Sequence, residues 1–155
     1  MYLNDWVGKD WFDVVMEFEG IYMTWAEYNA AAAPYANATM WEENKAKASA
    51  AMEKPEYQGI EVLLASYSYK HYSGDAFVLF RKDGKLYEVN GGHCSCYMLE
   101  GQWSPEETTV EALAHRVESG SLGKGDYGGN EFAKELREVI ALLSSNTNSP
   151  TAQSD

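Results

Sequence analysis

The chain has 155 residues, 45% of them hydrophobic, and a formal net charge of −12 at pH 7. This length suits one domain with a real core, and the apolar content excludes a disordered chain. The negative charge argues against direct binding to nucleic-acid phosphates or anionic lipid. It is compatible with two roles, which are to keep the protein soluble or to support docking onto a basic partner.

The expected location is the cytoplasm, with no membrane contact. No apolar run approaches the length of about 20 residues that spans a bilayer. Residues 1–6 lack the basic region and apolar core of a signal peptide. In the cytosol the two cysteines should remain thiols unless they bind metal or do redox work.

Residues 1–57 are predicted to form an N-terminal helical segment. Four apolar residues at i, i+3, i+4 and i+7 predict a helix over 11–19, which Asp10 caps and Gly20 ends. Capping-box spacing at Thr24 and Glu27 predicts a second helix through the alanine-rich run, and a third is predicted over 37–53. The apolar residues of the first helix are Trp11, Val14, Val15 and Phe18.

Four of the five tryptophans lie in this segment. Tryptophan is enriched at interface hot spots, but a small domain that combines helices and a sheet needs a helical layer packed on the sheet. We therefore expect most of these tryptophans to pack internally. The candidates for partner contact are Trp6, Trp25, Trp41, Glu42, Glu43, Glu106 and Glu107.

Residues 59–90 change to the period of strands, with strands predicted over 60–69 and 76–81 and a turn at Ser73-Gly74. Asp83-Gly84 predicts a two-residue hairpin loop, which places Phe80 opposite Tyr87 and Val78 opposite Val89. The predicted fold class is α+β: a three- to four-stranded antiparallel β-meander packed against N-terminal and C-terminal helices.

Two helices are predicted after the hairpin. Helix starts occur at Ser104 to Glu107, with Pro105 at the first position, and again at Thr108 to Glu111. A helix start would also explain Glu106 and Glu107, because its dipole stabilises negative charge. Glycines over 120–129 predict a flexible linker before a last helix from about residue 131. Residues 58–143 thus form the core, 144–155 a disordered tail, and the chain one compact domain.

The cluster His93-Cys94-Ser95-Cys96 invites a metal or thiol reading. A structural zinc site wants four Cys or His ligands, so His71 or His115 would have to complete it, and the metal alternative is His93, Cys94, Cys96 and His115. In an extended segment the two cysteines instead share a face and fill core space. We favour structural thiols, expect no cofactor, assign no catalytic residue, and consider an enzyme less favoured than a binding protein.

A longer run surrounds this cluster: Gly84-Lys85-Leu86-Tyr87-Glu88-Val89-Asn90, then His93-Cys94-Ser95-Cys96-Tyr97, Leu99-Glu100-Gly101-Gln102-Trp103, Pro105-Glu106-Glu107-Thr108 and His115-Arg116. The run resembles that of small tailed-bacteriophage proteins whose function is uncharacterised. Met98 stands where that group has glycine, and Gly92 where it has serine. The likeness covers roughly residues 58–143 and implies a bacterial host cytoplasm.

Two functions are expected from these observations. The first is a phage accessory protein that acts as an acidic, protein-binding inhibitor of a host nucleic-acid-handling or defence complex, such as a CRISPR or restriction system. Its partner would be a basic or nucleic-acid-binding host protein, without direct contact to nucleic acid. The alternative is a metal- or thiol-dependent protein that uses His93, Cys94 and Cys96.

Overall fold

The computed structural model describes residues 1–21, 38–70, 73–94, 99–125 and 129–147. It does not describe the side chains of residues 38–41, 93, 94, 146 and 147. The predicted helix start at Thr24 and the alanine-rich run after it lie outside the described residues.

The described strands are β1 (Tyr2–Asn4), β2 (Glu61–Lys70), β3 (Ser73–Lys82), β4 (Lys85–Cys94) and β5 (Glu106–Thr108). They form a mixed sheet in the order β1-β2-β3-β4-β5, in which β1 pairs in parallel with β2 and all other neighbours are antiparallel. The predicted antiparallel meander is therefore present in β2 to β5. The prediction missed β1, which makes the sheet five-stranded and mixed.

The β3–β4 hairpin has the predicted register. Phe80 pairs with Tyr87 and Val78 with Val89, and the rings of Phe80 and Tyr87 stack at 5.4 Å. Asp83 has a φ of 53° at the tip, which Asp tolerates better than most residues. The cross-strand pairs and the turn chemistry agree, so this local prediction is confirmed.

The turn predicted at Ser73-Gly74 is wrong. Ser73 pairs with Lys70 and Gly74 with Tyr69, so both residues belong to β3. Ladder pairing across both neighbouring strands overrides the turn preference of the Ser-Gly pair, because it satisfies the backbone polar groups.

The described residues include four α-helices beside the sheet: α1 (Trp11–Phe18), α2 (Ala38–Met52), α3 (Val110–Glu118) and α4 (Ala133–Thr147). The first begins as predicted, since the Asp10 side chain accepts from the Asp13 N–H while the Asp13 side chain accepts from the Asp10 N–H. α2 follows the predicted third helix closely. Because β1 precedes both, the N-terminal segment is not purely helical.

The helix start predicted at Ser104 is wrong, because Glu106 and Glu107 lie on β5 rather than in a helical turn. β5 pairs with Leu86 to Glu88 and satisfies that part of the β4 edge. α3 starts one residue later than predicted, where the Thr109 hydroxyl accepts from the Ala112 N–H at 3.0 Å.

The helix α4 runs through Thr147, so the disordered tail predicted from residue 144 does not begin there. Leu136, Val139 and Leu143 on its inner face are buried. They repeat at the spacing of one helical stripe, and this stripe packs α4 into the second core cluster.

The sheet is covered on both faces. Ala76, Val78 and Phe80 of β3 face one core cluster, which also takes in Val14 and Phe18 of α1. Phe77 and Leu79 face a second cluster, which holds buried residues of α3 and α4. Helical layers from both ends of the chain thus enclose the sheet, as predicted. The other buried members of the second cluster are Leu64, Leu113, Val117, Leu122, Phe132, Leu136, Val139 and Leu143.

Over its described part, residues 120–125, the glycine-rich stretch after α3 is packed and does not form the predicted flexible linker. Leu122 is buried, and the Gly123 carbonyl accepts from the N–H groups of Phe132 and Ala133. A Cβ on Gly123 would lie 2.8 Å from the Ala133 nitrogen. Close backbone approach, not flexibility, therefore explains this glycine.

Replacing Gly123 with alanine tests this packing. Gly120→Ala is a matched control because Gly120 and Gly123 have the same φ of 78°, but nothing lies within 4 Å of a Cβ at Gly120. Backbone strain alone should cost about 1–2 kcal/mol in the control, and the clash should bring Gly123→Ala to about 2–4 kcal/mol. Urea unfolding of both variants measures the difference, and equal losses would mean that the stretch is a loose linker.

Candidate functional site

The structure removes one candidate for partner contact. Trp6 is 3% exposed and stacks on Tyr67 at a centroid distance of 5.3 Å, so its prediction as a contact residue is wrong. Trp25 and the side chain of Trp41 lie outside the described residues. The four predicted carboxylates Glu42, Glu43, Glu106 and Glu107 are all exposed, the first two on α2 and the others on β5.

The metal or thiol site at the Cys–His cluster remains a prediction. His93 and Cys94 end β4, where their backbones pair with Gly74 and Ser73. Their side chains and Cys96 lie outside what the structure describes. His115 is exposed on α3. The helix α3 follows β5 in the chain, and β5 pairs with β4 at the end opposite to His93 and Cys94.

Gln102 has a structural role that the sequence did not reveal. Its side-chain amide accepts from the Gly92 N–H at 2.8 Å and donates to the Gly92 carbonyl at 2.7 Å. The amide thus takes the place of a neighbouring strand where β5 no longer covers β4. Gly91 lies beside it, and a Cβ there would approach Leu99 to 3.0 Å.

Trp103 belongs to the core rather than to a binding surface. Its ring packs against those of Trp11, Phe18 and Phe80 at centroid distances of 5.1–5.6 Å. Packing thus accounts for three residues of the run after β4, because Leu99 lies beside Gly91, Gln102 bonds Gly92, and Trp103 stacks on Phe80 of β3.

On the opposite face of the sheet lies a cleft of about 470 Å³. It forms because Gly92 projects no side chain and because the 120–125 stretch turns away after α3. A Schellman motif makes that turn: the Gly120 N–H bonds the Val117 carbonyl and the Ser121 N–H bonds the Arg116 carbonyl. The cleft is lined by Asp75, Ala76, Phe77, Asn90, Gly91, Gly92, Gly120, Ser121, Leu122, Gly123, Lys124, Gly125, Asn130 and Phe132.

A chain of polar side chains leads into this cleft. Arg116 donates two hydrogen bonds to Glu88, at 2.7 and 2.8 Å, and the Asn90 amide donates to the same carboxylate at 2.9 Å. Burial by itself raises the pKa of Glu88, but the hydrogen bonds from Arg116 and Asn90 and the Arg116 charge outweigh it, so the pKa lies below its ordinary value. Glu88 is therefore a buried, ionised anchor for Arg116 at neutral pH.

A second polar network fixes the other wall. The Ser66 hydroxyl donates to the Asn130 Oδ1 at 2.6 Å, and Asn4 donates to both side chains. Asn130 in turn donates to the Ser66 carbonyl at 3.3 Å. The network joins β1, β2 and the segment before α4, and it holds Asn130 rigidly at the edge of the cleft.

The cleft carries one exposed charge of each sign. Asp75 and Lys124 both line it, and neither belongs to an ion pair found among the described residues. A single lysine is a poor site for a polyanion on so acidic a protein. The arrangement can hold a small polar molecule, and it contains no nucleophile–base pair within its described lining.

The rest of the surface is dominated by carboxylates. All twelve Lys and Arg residues fall within the described ranges, and five of them form ion pairs that neutralise their charge. Most of the described carboxylates outside these pairs are exposed, including Glu42 and Glu43 on α2, Glu106 on β5 and Glu111 on α3. The pairs are Lys54–Glu19, Arg81–Glu61, Lys85–Glu107, Arg116–Glu88 and Arg137–Glu118.

Comparisons with known proteins add no relative. No protein-family model matches the chain, and neither do any curated protein or solved structure. Among the described helices, none has the length and apolar character needed to cross a bilayer.

The Glu88–Arg116 pair predicts a pH-dependent stability. A carboxyl whose pKa is lowered by folding adds stability that is present above its unfolded pKa and is lost as the pH falls through the folded pKa. Arg116→Ala leaves Glu88 buried without its cation, so we expect a loss of about 2–4 kcal/mol at pH 7. The loss should be smaller near pH 4, because burial favours the protonated form of Glu88 once its cation is gone. Urea unfolding at both pH values measures this loss in the free energy of unfolding.

Arg137→Ala serves as the control for this change. Its bond to Glu118 joins two exposed side chains and should contribute no more than about 1 kcal/mol at either pH. Equal losses for the two arginine variants at pH 7 would contradict the role assigned to Glu88 and Arg116.

Proposed function

We propose that this protein is an acidic binding protein that docks onto the basic, nucleic-acid-binding surface of a host protein and inhibits the complex to which that protein belongs. The observation that carries the proposal is the surface charge. Five of the twelve cations are held in ion pairs, and carboxylates remain in excess over the described surface.

The physical basis is electrostatic complementarity. Carboxylates can occupy a groove shaped for phosphates, and a field of one sign accelerates encounter with a basic partner. Glu106 and Glu107 are suited to this because β5 is an edge strand, so both project from the border of a rigid sheet. Glu42 and Glu43 present a second pair of carboxylates on α2.

The biological setting of the proposal comes from the phage-like run. A phage accessory protein acts in the host cytoplasm, where nucleic-acid-handling and defence complexes, CRISPR and restriction systems among them, offer basic surfaces. The partner is thus a host protein, and the chain itself does not bind nucleic acid directly.

The first functional prediction concerns capture from a bacterial lysate. Immobilised protein should retain nucleic-acid-binding proteins at low salt and release them when salt or duplex DNA is added, because both compete for the same basic surface. Glu106→Gln with Glu107→Gln should reduce the amount captured by several fold, as measured by quantitative mass spectrometry.

The control variant is Glu61→Gln with Glu118→Gln, which removes two carboxylates that are hydrogen-bonded to Arg81 and Arg137. In the tested pair, by contrast, Glu107 only approaches Lys85 to 4.0 Å, and Glu106 has no ion pair among the described residues. It should capture nearly as much as the unaltered protein. Retention that resists both salt and duplex DNA would argue against a phosphate-like mode of binding.

A metal- or thiol-dependent function is the second candidate. One observation favours keeping it: β4 carries Gly92 into the lining of the cleft and ends two residues later at Cys94. The backbone thus brings the start of the His93, Cys94, Cys96 cluster next to this cleft. His115, the fourth predicted zinc ligand, lies on α3.

Elemental analysis separates the two readings of the cysteines. A zinc site would carry about one metal ion per chain through purification, and Cys94→Ala with Cys96→Ala would then unfold the protein. We expect structural thiols instead, with no stoichiometric metal and a combined loss of roughly 1–3 kcal/mol in urea unfolding. One zinc per chain would overturn this expectation and favour the second candidate.

A further inference from the structure

A small pocket of about 250 Å³ lies beside the tip of the β3–β4 hairpin. Tyr87 supplies a half-buried aromatic ring that stacks on the buried Phe80, Pro105 adds an apolar side, and two exposed carboxylates, Glu56 and Asp83, stand at its border. The remaining side chain is Lys82. The pocket therefore combines aromatic surface and negative charge in one concavity.

The walls of this pocket are fixed to one another. Lys82 donates from its Nζ to the Pro55 carbonyl at 3.1 Å, which ties the hairpin to the short 3₁₀ turn Pro55–Tyr57 that carries Glu56. The Tyr57 hydroxyl donates to Glu19 at 2.8 Å and anchors the other side of that turn. Because both carboxylates stand on anchored elements, little ordering is required when a ligand enters.

The chemistry of the pocket suits a guanidinium. Arginine is planar and weakly hydrated, it stacks on aromatic faces, and its fork of donors matches carboxylates, whereas lysine carries a compact, strongly hydrated charge. Lys82 opposes a cation, but its ammonium is already turned to the Pro55 carbonyl and two carboxylates outnumber it. We propose that this pocket binds an arginine side chain of the basic partner.

This inference rests on the proposed function and adds the residue type that the partner must present. The protein's overall charge draws the partner in at long range, and the pocket selects arginine over lysine at contact. Selection by residue type distinguishes such a site from diffuse attraction, which responds only to charge.

The test compares two labelled probes, an oligoarginine peptide and an oligolysine peptide of equal length, by fluorescence anisotropy at low and moderate salt. The pocket variant is Glu56→Gln with Asp83→Asn, in which Asn keeps the left-handed turn conformation that Asp83 adopts at φ 53°. Its control is Glu131→Gln with Glu138→Gln, which removes the same charge from two exposed carboxylates, one just before α4 and one on it.

We expect the unaltered protein to bind oligoarginine more tightly than oligolysine. The pocket variant should lose about fivefold in affinity for oligoarginine, which is the effect of roughly 1 kcal/mol, and the control less than twofold. Tyr87→Leu, which leaves every charge in place, should reduce the preference for arginine, with circular dichroism confirming that it is folded.

The outcomes separate the pocket from the function on which it rests. Equal losses in the two double variants, or equal affinity of the unaltered protein for both peptides, would overturn the pocket while leaving the acidic binding protein intact. If neither peptide binds even at low salt, the pocket is overturned too, and the lysate capture decides the proposed function independently.

Discussion

The structure depends on the burial of β3 on both of its faces. Every residue from Ala76 to Phe80 is buried, with alternate side chains in two different cores. A strand of this kind cannot be stable in a bare hairpin, because one apolar face would remain in water. The chain must therefore bring a helical layer to each side, and it uses α1 on one side and α3 with α4 on the other.

The polar features of the molecule lie where that coverage ends. Beyond α3 the sheet face has Asn90 and Gly92 in place of large apolar side chains, and the cleft opens there. Glu88 marks the boundary, since it is 4% exposed and keeps its charge only through Arg116 and Asn90. The sheet thus extends beyond the helices that cover this face, and this accounts for both the Glu88–Arg116 ion pair and the cleft beside it.

Among the described residues, aromatic side chains stabilise the cores, whereas carboxylates are exposed on the surface. Trp6, Trp11 and Trp103 contribute to the cores, so they are not available as the anchors of an interface. Among the described residues, the proposed recognition therefore rests on exposed carboxylates and on the pocket at the hairpin tip. The tip has Asp83 at its turn, so the residue that shapes the loop also adds charge to the pocket.

The sequence by itself determined the hairpin, α1 with its cap, and most of α2, α3 and α4, because turn chemistry, capping and helical periodicity act between near neighbours. Tertiary structure decided β1 and β5, which are three residues long and carry no periodic signal; each forms only because a longer strand offers an open edge. It also decided that Ser73-Gly74 extends a strand and that Gly123 packs against Ala133. The described lining of the cleft comes from four segments, 75–77, 90–92, 120–125 and 130–132, and local patterns contain no information about which segments meet.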